Sequence, residues 1–173
     1  AAYVRYFDDT IARVAAAVEG AARPTVLYMQ PDTLTQPRLI AEWWIPAAGG
    51  ASVTDDGRTA ESRRFTLEQV VLWDPDILIV TDPKDVAYVN RDAVLSKLKA
   101  VKAGRVHVVP VGAHTWSNRT SEQPLTVLWA AGTFHPERMR GIDLVAETGR
   151  FYREIFTHPL SEAQVAEILS GTM

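Results

Sequence analysis

Asp74-Pro75-Asp76-Ile77-Leu78-Ile79-Val80 carries the reading of the fold. A short run of branched aliphatic residues behind a proline, with acids on its borders, reads as a strand buried on both faces. Such strands belong to the interior of a parallel sheet. Just upstream, Thr66-Leu67-Glu68-Gln69 has the pattern of a helix start, with Thr66 as the N-cap and Gln69 in the capping-box position. That helix must end before Pro75. Downstream, Arg105-Val106-His107-Val108-Val109 is a further strand, delimited by Gly104 and Pro110. Upstream again, Thr25-Val26-Leu27-Tyr28-Met29 follows Arg23-Pro24 and reads as a buried strand.

Helical patterns fill the intervals. Residues 3–19 place Tyr3, Phe7, Ile11, Val14 and Val18 at helical spacing, and Gly20 stops them. Exposing that apolar stripe would be costly, so the helix is expected to lie along the domain edge. Leu39, Ile40, Trp43, Trp44 and Ala47 mark a second helix closed by Gly49-Gly50, with both tryptophans at core-facing positions. Residues 51–65 read as irregular, 81–92 as a loop with one or two short turns, and 93–99 as a short helix. Three helices follow near 124–134, 141–156 and 161–169, the last opened by Ser161-Glu162. Strands alternating with helices predict an α/β domain around a mostly parallel sheet. No repeat, low-complexity tract or linker divides the chain.

Composition narrows the function. The chain has 173 residues, 47% apolar and 23% charged, and a net charge of −3. No segment concentrates Lys and Arg, so nucleic acid is not expected as a partner. There is no cysteine, which excludes disulfides, thiolate metal sites and Cys nucleophiles. The four histidines, at 107, 114, 135 and 158, lack metal-ligand spacing, and no metal site is assigned. His107 and His135 read as structural, the latter beside carbonyls at a helix end. No Gly-x-Ser-x-Gly elbow, phosphate loop or His-Glu-x-x-His occurs, so the chain is not read as an enzyme and no cofactor is assigned.

In an open parallel sheet, ligands bind beyond the carboxyl ends of the strands. Those ends lead into three polar loops, Gln30 to Pro37, Thr81 to Asp92 and Val111 to Gln123. Candidate ligand-binding residues are Tyr28, Gln30, Tyr88, His114, Trp116 and Arg119. Trp116 would supply stacking area and Arg119 charge; the alternative for Trp116 is that it folds back onto the domain. Met29 reads as core filler.

The same stretches resemble a known family. Phe65 to Gln69 followed by Asp74 to Val80, then Leu98-Lys99-Ala100-Val101-Lys102-Ala103-Gly104-Arg105-Val106 through Pro110, are similar to signatures of the iron-complex and cobalamin binding proteins of ABC importers. Ala47-Ala48-Gly49-Gly50, and Leu128-Trp129-Ala130-Ala131 with His135-Pro136-Glu137, resemble further elements of it. Two positions depart from its pattern: Ser52 stands where Asn is frequent and Gly132 where Lys is common. The resemblance implies a single Rossmann-like lobe, the carboxy-terminal one of two. Residues 1–20 would then be the distal part of a rigid interlobe helix and 21–173 the ligand-binding lobe. It also implies capture of an iron-siderophore, haem, cobamide or similar metal chelate and its delivery to an ABC permease. The location would be periplasmic or extracytoplasmic and membrane-anchored, with a possible lipid anchor on a preceding segment. Asp85 and Asp92 are the implied permease-docking acids. The alternatives are an oxyanion binder of the same fold, for molybdate or tungstate, and a small α/β enzyme.

Overall fold

Residues 2–36, 42–55 and 62–172 are described in the structure, a computed structural model. Four parallel strands form its centre in the order β3 (Ala51–Ser52), β1 (Thr25–Tyr28), β5 (Ile77–Val80), β6 (Val106–Val108). The remaining strands, β2 (Thr35–Gln36) and β4 (Arg63–Arg64), pair antiparallel outside that sheet. The three predicted strands are present in part. Of residues 51–65, expected to be irregular, 56–61 lie outside the described residues; of the others, two extend the sheet at one edge and two pair with β2. Elements of two residues carry too little pattern to be read from sequence.

Strand alternation divides the core in two. Val26 and Tyr28 of β1 and Ile77 and Ile79 of β5 face one side. There they meet α1 (Ala2–Val18), α2 (Trp44–Ala47), α6 (Gln123–Phe134), α7 (Leu144–Glu154) and α8 (Glu162–Ser170). Leu27, Met29, Leu78 and Val80 face the other, against α3 (Leu67–Trp73), α4 (Pro83–Arg91), a 3-10 turn (Leu95–Lys97) and α5 (Lys99–Lys102). Both faces of the sheet are covered, as its apolar runs require. Helix α6 is apolar nearly all round and correspondingly buried.

Helix α1 lies along the edge of this body. Val14 is buried, Phe7 stacks on Trp43 at 6.2 Å, Tyr6 meets Phe151 at 5.2 Å, and Arg13 pairs with Glu147 at 2.8 Å. Trp44 lies in the core, with Tyr28 at 5.8 Å and Trp129 at 5.9 Å. The expected second helix includes Leu39 and Ile40, which lie outside the described residues; α2 covers its later part. Both capping boxes form, at Thr66–Gln69 and Ser161–Gln164. The helix expected at 93–99 is instead the 3-10 turn followed by α5. His135 ends α6, and its Nε2 lies 3.1 Å from the Gly49 carbonyl oxygen. Gly49 has φ +81°, and an added Cβ would press on His135 and Val18, so glycine is required there.

The Asp74-Pro75-Asp76 motif ties elements together at the amino ends of the strands. Asp74 adopts a left-handed conformation at the end of α3, and its Oδ1 accepts the Lys99 N–H at 2.8 Å. Asp76 Oδ2 accepts from both the backbone N–H and the hydroxyl of Thr25 at 2.7 Å, while Lys99 Nζ lies 3.1 Å from Oδ1. Burial opposes ionisation of Asp76, but the Thr25 and Lys99 contacts outweigh it and hold the carboxyl below its usual range. A lowered folded-state pKa stabilises above the unfolded value, and that stability is lost as pH falls through the folded value. Asp76→Ala is therefore expected to cost about 1.5–3 kcal/mol at neutral pH, mostly from the Thr25 bonds because the Lys99 pair is exposed. Denaturant titrations should show the gap between wild type and Asp76→Asn closing below about pH 4; a gap constant with pH would contradict the assignment.

Candidate functional site

Chain order along the sheet reverses at β1. From it the chain passes to β3 on one side and then to β5 and β6 on the other. The crevice at such a reversal, beyond the carboxyl ends, is where α/β sheets bind ligands. A cavity of about 480 Å³ occupies that position. The segment after β1 contributes Gln30, Asp32 and Thr33 to it, with Tyr28 at the strand's last position. The segment after β5 contributes Thr81, Asp82, Lys84 and Asp85. Thr115, Ser117 and Asn118 come from the segment after β6.

Local geometry fixes each wall. Gln30 and Thr35 exchange backbone hydrogen bonds at 2.7 and 3.3 Å, closing a tight turn that carries Asp32 and Thr33. Asp82 is the N-cap of α4, accepting the Lys84 N–H at 2.8 Å, and Pro83 begins the helix. The expected loop at 81–92 is thus corrected to a helix. An Asp N-cap before a proline is a helix start, and Val86 and Val89 pack inward. Tyr28 is buried, and its hydroxyl lies 2.8 Å from Ser117 Oγ. Burial, reinforced by Glu42 and only partly offset by Ser117, pushes the phenol up to about 12.

The lining is polar. Hydroxyls from Tyr28, Thr33, Thr81, Thr115 and Ser117 and amides from Gln30 and Asn118 supply donors and acceptors. Lys84 pairs with Asp82 at 3.0 Å. Asp85 is 7% exposed, and burial first, then Asp82 and Asp32, raises its carboxyl above the usual range. Among the described lining residues, three carboxylates against one ammonium make this wall acidic. Among the described residues, no group of three or more His, Asp or Glu side chains is placed to hold a metal ion.

Of the ligand-binding residues singled out from sequence, Tyr28 and Gln30 line the cavity, while Tyr88, His114, Trp116 and Arg119 do not. Trp116 is 0% exposed, packed in the core with its indole N–H donating to Glu122 Oε1 at 2.8 Å. It offers a solute no face. His114 is exposed, its Nδ1 accepting the Thr115 N–H at 2.8 Å, which stabilises the turn. Arg119 is exposed and lies outside the lining. Tyr88, on α4 and 43% exposed, borders an adjoining groove with Arg91 and Asp92 that shares Asp32, Lys84 and Asp85 with the cavity. Of the two docking acids, Asp85 is buried on the cavity wall, and Asp92 is half-buried, its Oδ1 capping the 3-10 turn through the N–H groups of Val94 and Leu95 at 2.9 and 2.8 Å. His107 sits in β6, where burial and Arg105 lower its pKa, consistent with a structural role. Sequence reading missed Thr81, Ser117 and Asn118, ordinary residue types whose positions just after strand ends were the available signal.

No protein-family model matches the sequence, and no curated protein matches it significantly. Solved structures do. A periplasmic solute-binding protein of Veillonella parvula is 26% identical over 97% of this chain, with a TM-score of 0.84. The chain has the fold of one solute-binding-protein lobe. It covers 54% of that Veillonella structure and so spans about half its length. An ABC transporter solute-binding protein of Sulfurospirillum deleyianum superposes on this lobe with a TM-score of 0.86 at 23% identity, over 96% of this chain and 55% of its own. The molybdate-bound periplasmic protein MolA of Haemophilus influenzae has a TM-score of 0.78 at 20% identity, over 92% and 51%. At those identities the latter two speak for the fold. A Cβ added at Gly132 would meet nothing within 4 Å, and Ser52 hydrogen-bonds Glu42 and Thr54.

Proposed function

We propose that this chain is the carboxy-terminal lobe of an extracytoplasmic solute-binding protein that captures a metal chelate and hands it to an ABC permease, without catalysing a reaction. The observation that carries this reading is the polar cavity at the sheet's reversal point, in a lobe that spans about half of the Veillonella solute-binding protein. In the same reading α1 is the distal end of the interlobe helix, gripped by α6 and α7. The protein works outside the cytoplasm, as the Veillonella relative's description supports.

The cavity's chemistry narrows the chelate. With Trp116 buried, Tyr28 is the one aromatic side chain on the cavity wall among the described residues, little area for a haem or cobamide ring. Its hydroxyls and amides suit the polar oxygen periphery of a compact iron-siderophore. The donor-rich lining also favours a second reading, an oxyanion such as molybdate. Against it stand Asp32, Asp82 and Asp85, whose field repels an anion, and the engagement of Lys84 by Asp82.

Calorimetric titration of the two-lobed polypeptide that this reading implies, with a ferric trihydroxamate, haem, cobalamin and molybdate, tests the proposal. Saturable binding of the ferric hydroxamate is expected, and Asn118→Ala should weaken it about 5–10-fold, the worth of one hydrogen bond. Binding of molybdate alone would replace this reading with the second, and failure of all four to bind would remove the assignment.

A further inference from the structure

We propose that Glu122 and Tyr152 form a buried clasp that sets the conformation of residues 111–118, and thereby positions the side chains this segment places on the cavity wall. Glu122 stands at the start of α6 and is 0% exposed. Its Oε1 accepts from the Trp116 indole N–H at 2.8 Å and from the Tyr152 hydroxyl at 2.5 Å, and its Oε2 accepts from the His114 backbone N–H at 3.2 Å. The Tyr152 oxygen in turn accepts the Ala113 N–H at 2.9 Å. Two side chains, one beginning α6 and one on α7, thus hold residues 113, 114 and 116.

A buried carboxylate is a costly way to fill space, and an apolar side chain of similar volume would serve packing alone at least as well. What the carboxylate adds is acceptor capacity for three donors, two of which, the Trp116 indole N–H and the Tyr152 hydroxyl, would otherwise be buried unpaired. Burial and the neighbouring Glu122 raise the Tyr152 phenol, so it remains protonated and able to donate. Gly112 leaves the clasp its room, since a Cβ there would overlap both Glu122 Oε1 and the Tyr152 hydroxyl. The far end of the segment is tied as well, by Trp116 N–H to the Pro110 carbonyl at 3.0 Å and by the Thr126 hydroxyl to the Trp116 carbonyl at 2.8 Å. One residue beyond Trp116, Ser117 reaches the Tyr28 hydroxyl, with Thr115 and Asn118 on either side of the pair. That the segment so held is a solute-binding wall rests on the function proposed above; the clasp itself does not.

Residue-resolved amide hydrogen exchange, without solute, tests the clasp with Tyr152→Phe and Glu122→Gln. The first keeps the ring and removes one donor and one acceptor. The second keeps the shape but presents an amide N–H₂ where an acceptor is needed. In both, the amides of Ala113, His114 and Trp116 should exchange at least about 10-fold faster while those of β1 and β5 keep their rates. Equal acceleration of segment and sheet would show a packing role alone and overturn the proposal, as would unchanged exchange in the segment. In a parallel titration with a ferric trihydroxamate, Tyr152→Phe should lose affinity about 5–20-fold. If the unaltered protein does not bind this probe, the functional reading fails while the exchange result still decides the clasp.

Discussion

Trp116→Ala is expected to lower the unfolding free energy by about 3–5 kcal/mol, the range for removing a fully buried large aromatic. For a chain of this size the midpoint of thermal unfolding should fall by about 6–20 °C. Two physical losses add. The indole leaves a void beside Leu125 and the other core residues of that sheet face, and Glu122 loses one of the donors that offset its burial. Trp116→Phe separates them: it keeps most of the packing, removes the N–H, and should cost about 1–3 kcal/mol. Calorimetric unfolding decides between this picture and the one suggested by sequence. A tryptophan stacked on solute from an open loop would leave the midpoint within about 2 °C of wild type on truncation, and that result would refute the burial described here.

Trp116 shows where sequence reading stops. Loop composition signals chemistry but not direction, and an indole seven residues before a buried helix can turn either outward or back into the core. The partner that turns it inward, Glu122, is a lone acid in sequence and acquires meaning only through Tyr152, thirty residues later. The strands were legible because Leu27, Ile77, Leu78, Ile79 and Val80 form apolar runs covered on both sides, and the capping boxes because their signal lies within four residues. Helix α4 was also encoded locally, in Asp82-Pro83, but its polar surface masked the inward pair Val86 and Val89. The strand-end rule led to the edge of the sheet where the cavity lies, and Tyr28 and Gln30 line it. It could not select Thr81 or Ser117, because a threonine or serine at a strand end is commonplace until the topology puts three such ends around one cavity.

Thr81→Trp should abolish most solute binding while leaving the fold nearly intact. Thr81 follows the last residue of β5, half-buried, at the point where the order of strands reverses, and it lines the cavity between the β1 and β6 segments. An indole there would occupy space that a bound solute needs in order to reach Gln30 on one side and Asn118 on the other. Losing two hydrogen bonds of about 1–1.5 kcal/mol each, with further loss of contact, corresponds to an affinity drop of about 100-fold or more. Because the added ring grows into open cavity and not into packed core, the thermal midpoint should move by only about 2 °C. Arg119→Ala is the matched control: its side chain is exposed and outside the lining, so affinity should stay within about 2-fold of wild type. Both variants are best titrated with a ferric trihydroxamate in the two-lobed polypeptide that the proposed function implies, where closure of the second lobe makes affinity measurable. Full affinity in Thr81→Trp together with a large loss in Arg119→Ala would move the site from the reversal point of the sheet to the outer surface of the segment after β6.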